Sequence, residues 1–382
     1  MQLKKILLVF GTRPEAIKMA PLVHSLRKRP GTFKVSVCVT GQHREMLDQI
    51  LKLFEIKPDF DLNIMRHGQD LSSLTAIMLK ELKKVLETSK PDIVLVHGDT
   101  TTALSAALAS FYYGIKVAHV EAGLRTYDRN SPFPEEINRQ LVSKLSTWHF
   151  APTQRNNDNL VKELISSEQI MVTGNTVIDA LLSMDKLIAS STENKKQIYQ
   201  NLERILNFDI RNFKYILVTG HRRENFGEGL IEICDALKIL CLNYPTLKFV
   251  FPVHLNPHVQ RSVYKHLNGV PNCHLISPLE YDLFLFLMKH CFCVLTDSGG
   301  IQEEAPTFKK PVLVTRDVTE RQEGVVAGAI KLVGSKRENV ILNISRLIED
   351  PFAYEKMSQA VNPYGDGMAS LRITDFLAAL KV

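Results

Sequence analysis

Short apolar runs recur along this chain, each followed by a polar loop and then a helical pattern. Lys5–Phe10, Val35–Thr40, Asp92–His97, Ile115–Val120, Thr147–Ala151 and Ile170–Val172 are such runs in the first half. Tyr215–Thr219, Phe249–Val253, Cys291–Thr296 and Pro311–Thr315 are their counterparts in the second. A strand that is apolar throughout must be covered on both faces, as in a parallel sheet flanked by helices. Between the runs, apolar residues recur at helical spacing. Ala16, Ile17, Ala20, Leu22, Val23 and Leu26 follow the first run, and Leu71, Leu74, Ile77, Met78, Leu82, Val85 and Leu86 precede Pro91, which closes that helix. Strands alternating with helices predict an α/β, doubly wound parallel sheet.

At 382 residues the chain exceeds what one core usually holds, so two domains are expected. The boundary falls near 174/175, giving domains over 1–174 and 175–365. Gly174 to Asn212 reads as a polar, helical surface segment and linker. The openings of the two halves echo each other, Val9-Phe10-Gly11-Thr12-Arg13 and Val218-Thr219-Gly220-His221-Arg222. The tail, 366–382, carries Leu371, Ile373, Phe376, Leu377 and Leu380 at helical spacing, so a terminal helix must dock on one of the cores.

Hydrophobic residues make up 45% and charged residues 23%, ordinary values for a globular protein. No apolar run approaches the roughly 18–20 residues that span a bilayer. Gly11-Thr12-Arg13-Pro14-Glu15 stands where a signal peptide would have its cleavage site, so the start reads as a strand and a cytoplasmic location is expected. The six cysteines have no C-x-x-C spacing, and Cys291 and Cys293 alternate as if on one face of a buried strand; reduced core thiols fit them best. A net charge of +6 without a basic stripe suits an anionic small ligand and argues against nucleic acid.

In open α/β sheets ligands bind beyond the carboxyl ends of the strands, and the loops there are strongly polar. Arg13 and Lys18 lie at a helix N-terminus, where the dipole disfavours cations unless an anion is held there. Asp99 follows His97-Gly98 and competes with Thr100 for the helix cap. Glu121 ends an apolar strand and needs a partner or a task; Arg125 is the neighbouring cation. Glu135 and Glu136 open a helix after Pro132-Phe133-Pro134. Asp99, Glu121 and Glu135 together suggest proton chemistry. In the second half, His221 and Arg222 follow one strand, and Asp297-Ser298-Gly299-Gly300 follows another. Paired glycines let a phosphate approach the backbone, with Ser298 adding a hydroxyl. Glu304 can accept from ribose hydroxyls, and Arg321 is a further cation on that rim. Gly227-Glu228-Gly229 lacks the third glycine of a dinucleotide fingerprint, and no Walker A motif is present. His254 and His258 are split by Pro257, which argues against a helical metal pair. No metal is expected.

In order along the chain, Gly11-Thr12-Arg13-Pro14-Glu15, His97-Gly98-Asp99-Thr100-Thr101, His119-Val120-Glu121-Ala122-Gly123-Leu124-Arg125, Phe133-Pro134-Glu135-Glu136-Ile137-Asn138-Arg139, His221-Arg222-Arg223-Glu224-Asn225 and Asp297-Ser298-Gly299-Gly300 resemble the non-hydrolysing UDP-N-acetylglucosamine 2-epimerases of bacteria. The resemblance implies a GT-B-like architecture, two Rossmann-like domains with a cleft between them and the last helix returning to the first. It implies interconversion of UDP-N-acetylglucosamine and UDP-N-acetylmannosamine by a homodimer, with no cofactor, NAD and metal included. Carried over by position, Arg13, Lys18, Asp99, Glu121, His221, Phe284, Ser298, Gly299, Gly300, Glu304 and Arg321 look like substrate and UDP contacts. Asp99, Glu121, Glu135 and His221 look like the catalytic set. Gln42, Glu45, Gly68, Glu136, Arg222 and His254 resemble a regulatory site for a second substrate molecule, although Glu45 and Gly68 depart from the usual Gln and Arg. The rival readings are a GT-B glycosyltransferase using a UDP-sugar donor, a hydrolysing 2-epimerase, and a catalytically silent UDP-sugar sensor.

Overall fold

The structure, a computed structural model, describes residues 3–41, 44–65, 69–222 and 225–381. It divides into two compact units, Met1–Leu182 with Tyr364–Val382, and Ser183–Pro363.

The first unit begins with β1 (Lys4–Phe10), α1 (Arg13–Arg27), β2 (Phe33–Val39), α2 (Arg44–Leu53) and β3 (Phe60–Asp61). Next come α3 (Leu71–Ser89), β4 (Ile93–His97), α4 (Thr101–Tyr112) and β5 (Lys116–Val120). After them follow α5 (Glu135–Leu145), β6 (Trp148–Ala151), α6 (Gln154–Lys162), β7 (Ile170–Val172) and α7 (Thr176–Ser190). The strands lie in the order β3-β2-β1-β4-β5-β6-β7, and all the pairs are parallel. The order reverses between β1 and β4, the place where such sheets bind ligands. Ile6 to Phe10 and Ile93 to Val96 are buried on both faces, which is why they read as unbroken apolar runs. Thr12, Asp70, Thr100 and Thr153 cap α1, α3, α4 and α6 with side-chain oxygens.

The second unit runs through α8 (Thr192–Leu206), β8 (Tyr215–Thr219), α9 (Glu228–Asn243), β9 (Lys248–Pro252), α10 (Pro257–Leu267) and β10 (Cys273–Ile276). It continues with α11 (Tyr281–His290), β11 (Cys293–Thr296), α12 (Gly299–Glu304), β12 (Val312–Val314), α13 (Gln322–Ala327), β13 (Ile330–Leu332), α14 (Arg337–Glu349) and α15 (Pro351–Ser358). Its sheet, β10-β9-β8-β11-β12-β13, is again parallel and reverses between β8 and β11. β1 and β8 therefore occupy equivalent places, and the short sequence echo after them marks the two switch points.

Several expectations change. Among Gly174–Asn212, α7 is no surface helix: Val177, Ile178, Ala180, Leu181, Met184 and Ile188 are buried. The unit boundary falls within α7 at Leu182/Ser183, because the start of α7 is tied to the returning tail. Asn175 N donates to Tyr364 O at 2.7 Å, and the Asp179 carboxylate accepts from Ala369 N at 3.2 Å and Ser370 N at 2.8 Å. The tail forms α16 (Ala369–Ala379). Lys4 Nζ donates to Leu377 O at 2.9 Å, and Phe376 packs edge-on against Trp148 and Phe150. Cys291 precedes β11 and caps α11, so of that pair Cys293 alone is a strand residue. β3 has only two residues, and β10 and β13 are interrupted by His274 and Lys331, so none of them stands out as an apolar run.

Three histidines sit on adjacent central strands, His97 on β4, His119 on β5 and His149 on β6. Burial lowers their pKa values to about 4, about 3 and about 4. All three stay uncharged in the folded chain, whereas the unfolded chain protonates them near the ordinary 6.5. Their contribution is complete above that pH and is lost as the pH falls toward the folded values. These three should make the urea midpoint drop between pH 6.5 and about 4, adding up to three protons of slope to the smaller contributions of His24, His254, His274 and His290. His149→Phe should remove about one of those protons; parallel curves for the two proteins would contradict this.

Candidate active site

The loop after β1 neutralises its own helix terminus. Glu15 is buried at the start of α1; its Oε2 accepts from Gly11 N at 3.1 Å, Thr12 N at 2.8 Å and Thr12 Oγ1 at 2.8 Å. Its Oε1 accepts from Thr100 Oγ1 at 2.8 Å, which ties this loop to the one after β4. Burial raises the Glu15 pKa against the opposing hydrogen bonds from Thr100 and Thr12. Glu15 thus satisfies the N–H groups of Gly11 and Thr12 at this terminus itself. Arg13 is half-buried in the first turn.

Lys18, one turn further on, is not a rim cation. It is buried, and its Nζ donates to Glu121 Oε2. Asn175 Nδ2 donates to the same oxygen at 2.8 Å. Arg125, the partner expected for Glu121, instead pairs with Glu163 at 2.6 Å and donates to Ser143 Oγ at 2.9 Å. Glu121 holds φ 65°, a left-handed conformation that a non-glycine residue adopts only at a cost of about 1–3 kcal/mol. The turn is completed by Gly123 at φ +90°, where a Cβ would lie 2.2 Å from Asn156 O. His97 Nε2 lies 3.8 Å from Glu121 Oε2.

Asp99 is left out of the helix cap because Thr100 Oγ1 takes Ala103 N at 3.1 Å. Its carboxylate accepts from Arg139 Nη2 at 2.5 Å, and its carbonyl accepts from Asn138 Nδ2 at 2.9 Å. Both donors lie on α5. Glu135 opens α5, half-buried, one turn ahead of Arg139. Its carboxylate has no side-chain partner among the described residues. Glu136, expected in a regulatory site, is fully buried and accepts from Thr126 N at 3.0 Å, Tyr127 N at 3.1 Å and Gln140 Nε2 at 2.8 Å. It fastens the loop after β5. Glu45 is exposed on α2, and Gln42 and Gly68 lie outside the described residues.

In the second unit Asp297, buried at the end of β11, organises the loop after β8. It accepts from His221 N at 2.9 Å, Arg222 N at 2.9 Å and Asn225 Nδ2 at 3.2 Å, and lies 3.1 Å from His221 Nδ1. Burial alone would raise the Asp297 pKa, but the His221 and Arg222 contacts bring it below the ordinary carboxylate value. Sequence reasoning quoted Asp297 without giving it a role, although it shows the signal that singled out Glu121, an acid ending an apolar strand. His221 stacks on His254 with ring centroids 5.5 Å apart. His254 lies before α10, which Pro257 opens, so it shares no helix with His258.

Ser298 is the N-cap of α12, but its hydroxyl makes no cap bond; Ser298 N donates to Thr296 Oγ1 at 2.9 Å. A Cβ at Gly299 would meet the Arg321 guanidinium at 2.9 Å, while one at Gly300 would meet nothing within 4 Å. Arg321 is buried between Glu320 at 2.6 Å and Glu303 at 3.0 Å, so it is a compensated charge and not an open cation. Arg316 lies 2.9 Å and Arg222 4.0 Å from Glu320. Tyr281 Oη donates to Glu304 Oε1 at 3.2 Å, and Phe284 is half-buried on α11. Among the described residues, no three His, Cys, Asp or Glu side chains form a metal site, and no helix is long and apolar enough to cross a membrane.

Two parallel sheets, each with a polar loop cluster at its switch point, define a GT-B-like α/β fold. A family model described as UDP-N-acetylglucosamine 2-epimerase matches residues 24–378. The UDP-N-acetylglucosamine 2-epimerase of Campylobacter jejuni is 54% identical over 374 residues, 98% of this chain and 97% of that protein. The crystal structure of the Neisseria meningitidis UDP-GlcNAc 2-epimerase bound to UDP-GlcNAc is 54% identical, with TM-score 0.92, covering 98% of this chain and 99% of that one. The Methanocaldococcus jannaschii UDP-GlcNAc 2-epimerase in complex with UDP-GlcNAc and UDP is 34% identical with TM-score 0.84, covering 98% and 99%. The chain belongs to the UDP-N-acetylglucosamine 2-epimerase family, and its members are isomerases.

The Lys18–Glu121 pair can be tested by itself. Lys18→Met leaves a buried carboxylate without its cation and should lower stability by about 3 kcal/mol, read from the urea midpoint. Adding Glu121→Gln should recover much of the loss. A midpoint unmoved by Lys18→Met would contradict the pairing.

Proposed function

We propose that this chain interconverts UDP-N-acetylglucosamine and UDP-N-acetylmannosamine by anti elimination of UDP to 2-acetamidoglucal and re-addition. The observation that carries the reading is a pair of carboxylates at the ends of β4 and β5, each held by its own cation: Asp99 by Arg139 and Glu121 by Lys18. Carbon 2 of the sugar bears an amide and has no adjacent carbonyl, so its proton is not acidic. Elimination avoids that difficulty. A base takes the carbon 2 proton, the electron pair of that bond becomes the C1–C2 double bond, and UDP leaves carbon 1 with the electrons of the C–O bond. Protonation of the other face and return of UDP to carbon 1 complete the inversion.

The reaction needs acid–base groups for two faces and a cradle for the departing diphosphate. Asp99, Glu121 and Glu135 are our candidates for the first task. Arg13, His221 and the Ser298-Gly299-Gly300 turn are candidates for the second, with Phe284, Glu304 and Arg321 completing the nucleotide site. Lys18 acts through Glu121 in this reading. Asp297 holds His221 and the loop backbone in place. We further infer a cytoplasmic homodimer that supplies N-acetylmannosamine for surface polysaccharide synthesis. Gln42, Glu45, Glu136, Arg222 and His254 remain candidates for a regulatory site, with Glu136 also fastening the loop after β5.

Proton NMR of the purified protein with UDP-N-acetylglucosamine in deuterated buffer, with no added cofactor, tests the proposal. We expect the manno epimer to appear carrying deuterium at carbon 2. Accumulation of free sugar and UDP, or unchanged substrate, would overturn it.

A further inference from the structure

Among the described residues, the side-chain groups around Glu121 Oε2 include Lys18 Nζ, Asn175 Nδ2 at 2.8 Å and His97 Nε2 at 3.8 Å. The Asn175 amide orientation is set by its Oδ1, which accepts from Val177 N at 3.1 Å, so Nδ2 is the atom presented to Glu121. An ammonium and an amide nitrogen can only donate. Both suit an ionised carboxylate, and neither can receive the hydrogen of a protonated one. His97 Nε2 differs. It is buried and has no hydrogen-bond partner, an arrangement that costs free energy and calls for a reason. At 3.8 Å it lies just beyond hydrogen-bond reach of the same oxygen, and small movements of a carboxylate close such a gap.

We propose that His97 is the hydrogen-bond acceptor of the protonated Glu121 carboxyl, a positioning residue that rests on the reading of Glu121 as an acid–base group. When Glu121 takes the sugar proton, the C–H bond breaks and an O–H bond forms at Oε2. That hydroxyl donates to His97 Nε2; the proton then exchanges with solvent, a second group protonates the other face of carbon 2, and Oε2 gives a proton to carbon only when the reaction runs in reverse. Burial holds His97 neutral, with a pKa of about 4, so one ring nitrogen carries a lone pair; the accepting role takes the tautomer with the hydrogen on Nδ1 and the lone pair on Nε2. The charged and titratable groups that bear on it are Glu121 itself, Lys18 from α1, Asp99 from the loop after β4 and His119 from β5. Lys18 opposes protonation of His97, while Glu121 and Asp99 favour it less than burial disfavours it.

Two amide variants separate this role from packing. Gln reaches the position of Nε2 with an accepting oxygen, whereas Asn reaches only as far as Nδ1. In the full-length protein, H97Q should keep kcat within about threefold of native, and H97N should lose roughly 30-fold with KM within about twofold. Without the acceptor the protonated carboxyl is less stable, so the acidic limb of the kcat profile should move to lower pH by about one unit in H97N and stay in place in H97Q. Equal losses in the two variants with a native pH limb, or full activity in both, would overturn the proposal. E121Q, tested for deuterium exchange at carbon 2, checks the premise separately. Retained exchange there would overturn the reading of Glu121 itself, whatever the His97 variants do.

Discussion

A carboxylate at the end of a buried strand must have a cation or strong donors, because an unpaired charge in that position would neutralise or unfold its surroundings. This constraint shapes the ligand end of the first sheet. Glu121 draws Lys18 inward from α1 and Asn175 from the start of α7. Asp99 draws Arg139 and Asn138 from α5. Glu15 takes the N–H groups of its own loop and reaches across to Thr100. Each bond ties one loop to a neighbouring element, so the acids are placed by rigid scaffold before any substrate arrives. The left-handed backbone at Glu121 belongs to the same arrangement, since strain at one residue persists only where its surroundings hold it.

The second sheet meets the same constraint with a different result. Asp297 spends its charge on backbone N–H groups and His221, fixing the loop after β8. Glu320 gathers Arg321, Arg316 and Arg222. Three arginines face two acids there, Glu320 and Glu303, so Arg321 is compensated and one positive charge is left over beside the glycine turn. On the proposed reading, Asp99, Glu121 and Glu135 of the first unit serve proton transfer, while the phosphates fall to other groups, Arg13 and the loops of the second unit. Chemistry and nucleotide binding are separable tasks on this account.

Much of this was legible in the sequence because parallel strands buried on both faces leave an unmistakable apolar signature. The loops after them carried the quoted motifs, and Asp99, Glu121, His221 and Asp297 do lie at strand ends. What periodicity could not supply was pairing. Arg125 is four residues from Glu121 and was the natural partner, yet the αL turn at Glu121 and Gly123 sends Arg125 to Glu163, and the partner comes from α1, 103 residues away in sequence. Arg321 and Glu136 read as available groups because a linear chain does not show that Glu303, or the backbone of Thr126 and Tyr127, will fold onto them. The α7 helix read as surface for a related reason: its apolar face is covered partly by the tail, whose return no local pattern announces.

The separation of tasks is the central claim, and UDP titration by calorimetry of the Asp99→Asn, Glu121→Gln double variant tests it most directly. Neither carboxylate holds UDP in this account, so the variant should bind UDP at least as tightly as the native chain. A loss of affinity of about tenfold or more, equivalent to about 1.4 kcal/mol, would show that the acids belong to the nucleotide site and would contradict the account.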